Sequence, residues 1–143
     1  MAVQSFDHVA LPVADPRAMI EFYGALGFRV PDYDSWRESG RPLFTVKFGD
    51  NKINMHAPSL WQDKGFALRA PNAQPGCGDL CFVWADSEEA LVQALERAGA
   101  PIEEGPVERV GGRALGRARG QSVYTRDPDN NLLEFIIYPK DYL

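Results

Sequence analysis

The chain has 143 residues, 45% of them hydrophobic, and 15 Lys and Arg against 20 Asp and Glu leave a formal charge of −5. That length suits one domain, or two small halves over one core. The acidic balance argues against nucleic acid or an anionic membrane surface as a partner, and no apolar run approaches the roughly 18 residues of a membrane span.

His8 to Val13 is a compact apolar run and reads as a buried strand. Asp15-Pro16 is an N-cap followed by proline at the first helical position. Met19, Ile20, Phe22, Tyr23 and Leu26 recur at helical spacing, and Gly27 stops the helix. A strand is predicted around Phe28 to Tyr33, then a polar turn near Ser39 to Pro42 and a strand from Leu43 to Phe48. Gly49-Asp50-Asn51 is a turn signal, and Lys52 to His56 is another strand. In the second half Asp79 to Trp84 is a strand, Asp86-Ser87-Glu88-Glu89 an acid-rich helix start, and Ala90, Leu91, Val92, Ala94 and Leu95 its apolar face up to Gly99. Pro101 to Val110 is an edge strand, because its prolines cannot donate to a ladder. Gln121 to Thr125 is a strand, Asp127-Pro128-Asp129-Asn130-Asn131 a tight turn, and Leu132 to Tyr138 the closing strand.

The chain repeats itself. Phe6 to Asp15 is echoed by Cys77 to Asp86: an apolar run closed by Ala-Asp, then a helix ending in glycine. His8 and Asp79 fall at the same place in the two copies. Each half reads strand, helix, then three strands, which predicts an α+β fold of two modules in one domain: module one over 1–58, a linker over 59–76, module two over 77–143. Residues 58–76, with Trp61, Phe66 and Arg69, form either a linker whose aromatics pack outside the sheet or a lid over a pocket. Gly111 to Gly120 is a glycine-arginine loop that matches no phosphate-cradling motif. It is either a solvated loop or an anion-recognising flap. Cys77 and Cys81, read four apart on a strand, lie ~13 Å from each other, too far for a disulfide. With no basic-then-apolar leader at the N-terminus, the expectation is a cytoplasmic protein with free thiols.

Only two histidines occur, His8 and His56, each on a predicted strand. Glu134 lies inside the apolar run Leu132 to Ile137, where an unpartnered carboxylate costs several kcal/mol or takes up a proton. Metal coordination resolves that cost; a solvated sheet face is the plain alternative. Two histidines and a carboxylate suit Fe(II) or Mn(II) with open positions, and three ligands plus water suit catalytic zinc. Asp79 is a further ligand, a partner orienting a histidine, or a general base. Strand alternation places Asp79 with Cys81, Asn54 with His56, and Leu132, Ile136 and Tyr138 with Glu134, giving a polar centre between apolar walls.

The segments Phe-Asp-His-Val-Ala-Leu-Pro-Val-Ala-Asp (6–15), Phe-Tyr-Gly-Ala-Leu-Gly-Phe (22–28) and Tyr-Thr-Arg-Asp-Pro-Asp-Asn-Asn-Leu-Leu-Glu-Phe (124–135) resemble the vicinal oxygen chelate superfamily. That superfamily includes glyoxalase I, bleomycin resistance proteins, extradiol dioxygenases and fosfomycin resistance enzymes. Lys-Ile-Asn-Met-His (52–56) and Ile-Glu-Glu-Gly-Pro-Val-Glu-Arg (102–109) look closer to small glyoxalase-domain proteins labelled virulence-associated. The resemblance implies paired βαβββ modules in a curved mixed sheet around a metal-binding cleft, a divalent ion (Fe, Mn, Zn or Ni), ligands at His8, His56, Asp79 and Glu134, and a homodimer. Glyoxalase I has glutamate where His56 stands and histidine where Asp79 stands. Extradiol dioxygenases need a further acid-base histidine, and none remains here.

The leading expectation is a metal-dependent lyase or isomerase that chelates neighbouring oxygens of a small substrate, with Glu134 or Asp79 moving the proton. A ring-cleaving dioxygenase using Tyr124 or Tyr138 is the second. A dimeric binding protein relying on Trp61, Phe66 and Tyr124 is the third.

Overall fold

A computed structural model describes the whole chain, Met1 to Leu143. Its elements run β1 (His8–Pro12), α1 (Pro16–Ala25), α2 (Tyr33–Ser39), β2 (Leu43–Phe48), β3 (Asn51–His56), α3 (Pro58–Trp61), β4 (Asp79–Val83), α4 (Glu88–Arg97), β5 (Glu104–Val110), α5 (Arg113–Gly116), β6 (Arg119–Arg126) and β7 (Leu132–Ile137), with a 3-10 turn at Lys140–Tyr142. No helix is long and apolar enough to cross a membrane. Helix α1 begins where Asp15 accepts the Ala18 N–H at 3.1 Å and Pro16 occupies the first turn. The cap of α4 is Ser87, which accepts from Ala90 N.

The strands form two mixed sheets with no ladder between them. In the first, ordered β1-β3-β2, β1 runs parallel to β3 and β2 antiparallel to it. In the second, ordered β4-β7-β6-β5, β4 is parallel to β7 and the rest antiparallel. The second module is a full βαβββ unit with β5 on the edge. The first is not: the strand expected over Phe28 to Tyr33 shrinks to one bridge between Arg29 and Lys47. Pro31 has no N–H for a ladder. Asp32 then accepts from the Ser35 N–H and hydroxyl at 3.0 and 3.1 Å and starts α2 instead.

Both sheets turn their apolar faces to one core. Leu11, Phe44, Val46, Ile53 and Met55 of the first and Phe82, Val123, Leu133 and Phe135 of the second are buried in a single cluster with α1 and α4. Phe82 meets Phe28 and Phe48 edge-on, each at 5.1 Å between centroids. Because side chains alternate along a strand, the faces bearing His8, Asn54 and His56, and Asp79, Cys81 and Glu134, turn away from that core.

The Asp127 to Asn131 turn locks the two modules together. Asp127 Oδ1 accepts the N–H groups of Asp129 and Asn131, and Oδ2 accepts the Asn131 amide at 2.8 Å and the buried Tyr23 hydroxyl at 2.7 Å. Asp129 accepts the Ala14 N–H at 2.9 Å and Asn131 that of Gly78 at 2.7 Å. A Cβ on Gly78 would stand 2.8 Å from Asn131 Oδ1, so only glycine admits this approach. The acidic residues of this motif thus build the turn, leaving Glu134 alone to face outward.

Burial and then the Asp127 charge push the Tyr23 phenol well above its ordinary value of 10.0. The unfolded chain ionises first, so the stability that Tyr23 contributes is complete below about pH 10 and is lost as pH rises further. Tyr23→Phe is expected to cost about 1–2 kcal/mol at neutral pH and to flatten the alkaline decline. Urea melts between pH 7 and 11 check this, and equal alkaline slopes for the two proteins would contradict it.

Candidate functional site

Register sets the outward faces out in rows. On the second sheet one row crosses from Glu104 through Tyr124 and Glu134 to Cys81, and the next from Arg126 through Leu132 to Asp79. On the first sheet the rows are Lys47–Lys52–His8, Thr45–Asn54–Ala10 and Leu43–His56–Pro12. The pairing is the same in both halves. Asp79 lies opposite Leu132, two before Glu134, and His8 lies opposite Lys52, two before Asn54. Asn54 therefore occupies in the first module the place of Glu134 in the second.

His56 does not share a row with His8. His56 lies opposite Pro12, four residues beyond His8, which separates them by about 13 Å along the sheet. Its ring packs against Phe66 at 5.6 Å, and burial, then the Arg69 charge, hold it below its ordinary 6.5. Arg69 donates to the carbonyls of Trp61 and Ala73 and stacks on the Trp61 ring, while Trp61 Nε1 donates to Val13 O at 2.9 Å. The 58–76 segment is tied down against the His56 end of the sheet. Nor do His8, Asp79 and Glu134 meet within one chain: no three His, Cys, Asp or Glu side chains gather where a metal ion could sit.

Each residue is nonetheless prepared. Asp7 bonds to His8 Nδ1, and that contact lowers the Asp7 pKa, leaving Nε2 as the imidazole's free nitrogen. Glu134 is half-buried and accepts the buried Ser122 hydroxyl at 2.6 Å. Asp79 is exposed. Desolvation of the Cys81 thiol, then Glu134 and Asp79, push it up to about 12, although the residue reaches the surface. Cys81 is therefore a neutral neighbour rather than a thiolate. Tyr124 Oη accepts from Arg109 Nε at 3.1 Å; desolvation raises its pKa against the pull of that guanidinium. Asn54 Oδ1 is buried and has no partner, a cost of about 1–3 kcal/mol for a buried polar atom. Sequence reasoning placed Asn54 on this face without assigning it a role; an amide among strand residues gives no signal until the register is known.

The 111–120 loop packs down at Ala118, while residues 112–117 are exposed. Ala118 is buried with Ile136 and Tyr138, Arg113 lies over the Tyr138 ring at 5.9 Å, and a Cβ on Gly111 would strike the Tyr138 hydroxyl. Tyr138 is thereby closed off from the outer face.

The fold and these faces define a glyoxalase-type protein: residues 5–135 match the Glyoxalase/Bleomycin resistance protein/Dioxygenase superfamily, and the chain belongs to it. It is 38% identical over 138 residues to the glyoxalase domain-containing protein RDO1 of Mycosarcoma maydis, covering 96% of this chain and 70% of that protein. It is 37% identical over 139 residues to virulence protein STM3117 of Salmonella typhimurium, covering 96% and 87%. The crystal structure of STM3117 superposes with a TM-score of 0.76 at 36% identity, over 97% of this chain and 100% of that one. An integron cassette protein of V. cholerae, VCH_CASS1, gives 0.77 at 34% identity, over 97% and 98%.

His56 is expected to titrate below pH 6.5 by NMR, and Arg69→Gln to raise its midpoint by removing the nearby charge. A wild-type midpoint at or above 6.5 would contradict this environment.

Proposed function

We propose that the protein is a metal-dependent glyoxalase-type lyase or isomerase whose site forms between two copies of the chain, in a homodimer acting on a small molecule with neighbouring oxygens. The observation that carries this is the division of donors. His8 and the orphaned amide oxygen of Asn54 share one outward face, Asp79 and Glu134 share the other, and the single chain cannot close them on one ion. A second copy that sets the first sheet of one chain against the second sheet of the other supplies both halves, and does so twice.

The donor chemistry fits a divalent ion: one imidazole with its far nitrogen held by Asp7, two carboxylates and an amide oxygen. That oxygen-rich set suits Mn(II) or Fe(II) as well as Ni(II) or Zn(II). His8, Asp79 and Glu134 would hold the ion, with Asn54 beside them and His56 outside the set. An ion held there would supply Lewis acidity to neighbouring oxygens of the substrate. Glu134, aimed by Ser122, takes a proton from the substrate carbon and returns it to the adjacent one. Tyr124, one strand away and held by Arg109, presents its phenol to the same oxygens.

Both alternatives keep Tyr124. The dioxygenase loses Tyr138, which is buried beneath Ala118 and Arg113, and the binding protein finds Trp61 and Phe66 half-buried, engaged with Arg69 and His56.

Complementation tests the reading. His8→Gln and Glu134→Gln are each expected to lose metal binding with the fold intact. Refolded together, they form mixed dimers in which one site keeps both residues. Manganese binding by electron paramagnetic resonance is then expected to return to about one site per mixed dimer. No recovery, with both parents folded and dimeric, would overturn the shared site.

A further inference from the structure

The bridge that replaces the missing strand leaves part of the β2 edge uncovered. Lys47 exchanges both backbone bonds with Arg29, so by alternation the N–H and C=O groups of Thr45 and Leu43 point the same way, off the sheet. Trp36 Nε1 closes the far end by donating to Leu43 O at 2.8 Å. Between the Arg29 bridge and Trp36 lies a cavity of about 360 Å³ walled by Val30, Pro31, Trp36 and Thr45 and rimmed by Arg29, Arg41 and Lys47.

Its charge is one-sided. No carboxylate lines it, and none of the three cations takes part in any ion pair of the chain. Arg29 spends one N–H on the Gly49 carbonyl, at 3.1 Å. Three unpaired cations converge here on a chain whose net charge is −5. Two guanidinium groups offer forked donors that match carboxylate and phosphate oxygens, and the half-buried Trp36 edge offers an apolar wall. The open stretch of edge is too short, between Leu43 and the bridged Lys47, for an added peptide strand, and the volume is that of a small-molecule site.

We propose that this groove binds a small organic anion, a carboxylate or phosphate carried on a planar apolar body. Arg29 and Arg41 grip the anion, Lys47 adds charge, the Thr45 N–H completes the donors, and the flat part lies along Trp36. Thr45 neighbours Asn54 on the adjoining strand, so the groove opens beside the outward face of the first sheet. The inference stands apart from the metal assignment.

The test is titration of the full-length protein with 1-naphthoate, 1-naphthyl phosphate and the neutral 1-naphthalenemethanol, followed by amide chemical shifts and calorimetry. Saturable shifts at Thr45 and Lys47 are expected for at least one of the two anions, with binding about tenfold weaker for the alcohol and for Arg29→Gln/Arg41→Gln, and weakened by salt. Glu134→Gln is expected to bind the anion as the wild type does, which separates this site from the metal reading. Failure of both anions to bind, equal binding of the alcohol, or unchanged binding by the double variant with a native-like spectrum would overturn it.

Discussion

Both sheets commit their apolar faces to a single core, and the rest of the molecule follows from that. The buried hydrogen bond from Tyr23 to Asp127, with Phe28 and Phe48 set against Phe82, joins the first helix to the second sheet. Strand alternation then leaves no choice: once Leu11, Ile53, Phe82 and Phe135 face inward, His8, Asn54, Asp79 and Glu134 face outward. A monomer folded this way holds two half-sets of donors pointing away from each other. The proposal of a site shared between two copies rests on this division of the donors between opposite faces.

The two halves have diverged around the same register. On the second sheet the residue two beyond the partner of Asp79 is a carboxylate; on the first, the residue two beyond the partner of His8 is an amide. An amide in that place carries no charge where the second sheet carries one. The first module has also lost a strand to Pro31 and the Asp32 cap. The gap left on the edge of β2 is the cation-rimmed groove.

The periodicity of the sequence made most of the fold legible. The duplicated Ala-Asp ends, the capped helices and the turn-strand spacing of the second half all have counterparts in the structure, because each depends on local chemistry. What local chemistry cannot show is register. His56 looked equivalent to Glu134 because each sits on the last strand of its half. The parallel pairing of β1 with β3 instead gives that place to Asn54 and sends His56 against Phe66. The strand expected over 28–33 failed for a related reason: its apolar residues suit a strand, but Pro31 and Asp32 decide against one. Trp61 could be read from the sequence either as packed outside the sheet or as part of a lid, and Tyr138 only as an outward strand residue; the contacts of Arg69 half-bury the first and the 111–120 loop helps bury the second.

A crystal structure of the protein loaded with Mn(II) or Ni(II) tests the central claim most directly. The account predicts one ion at each of two equivalent sites, bound by His8 of one copy and by Glu134 and Asp79 of the other, with Asn54 alongside. An ion held entirely by residues of one chain, or coordinated by His56 in place of His8, would contradict it.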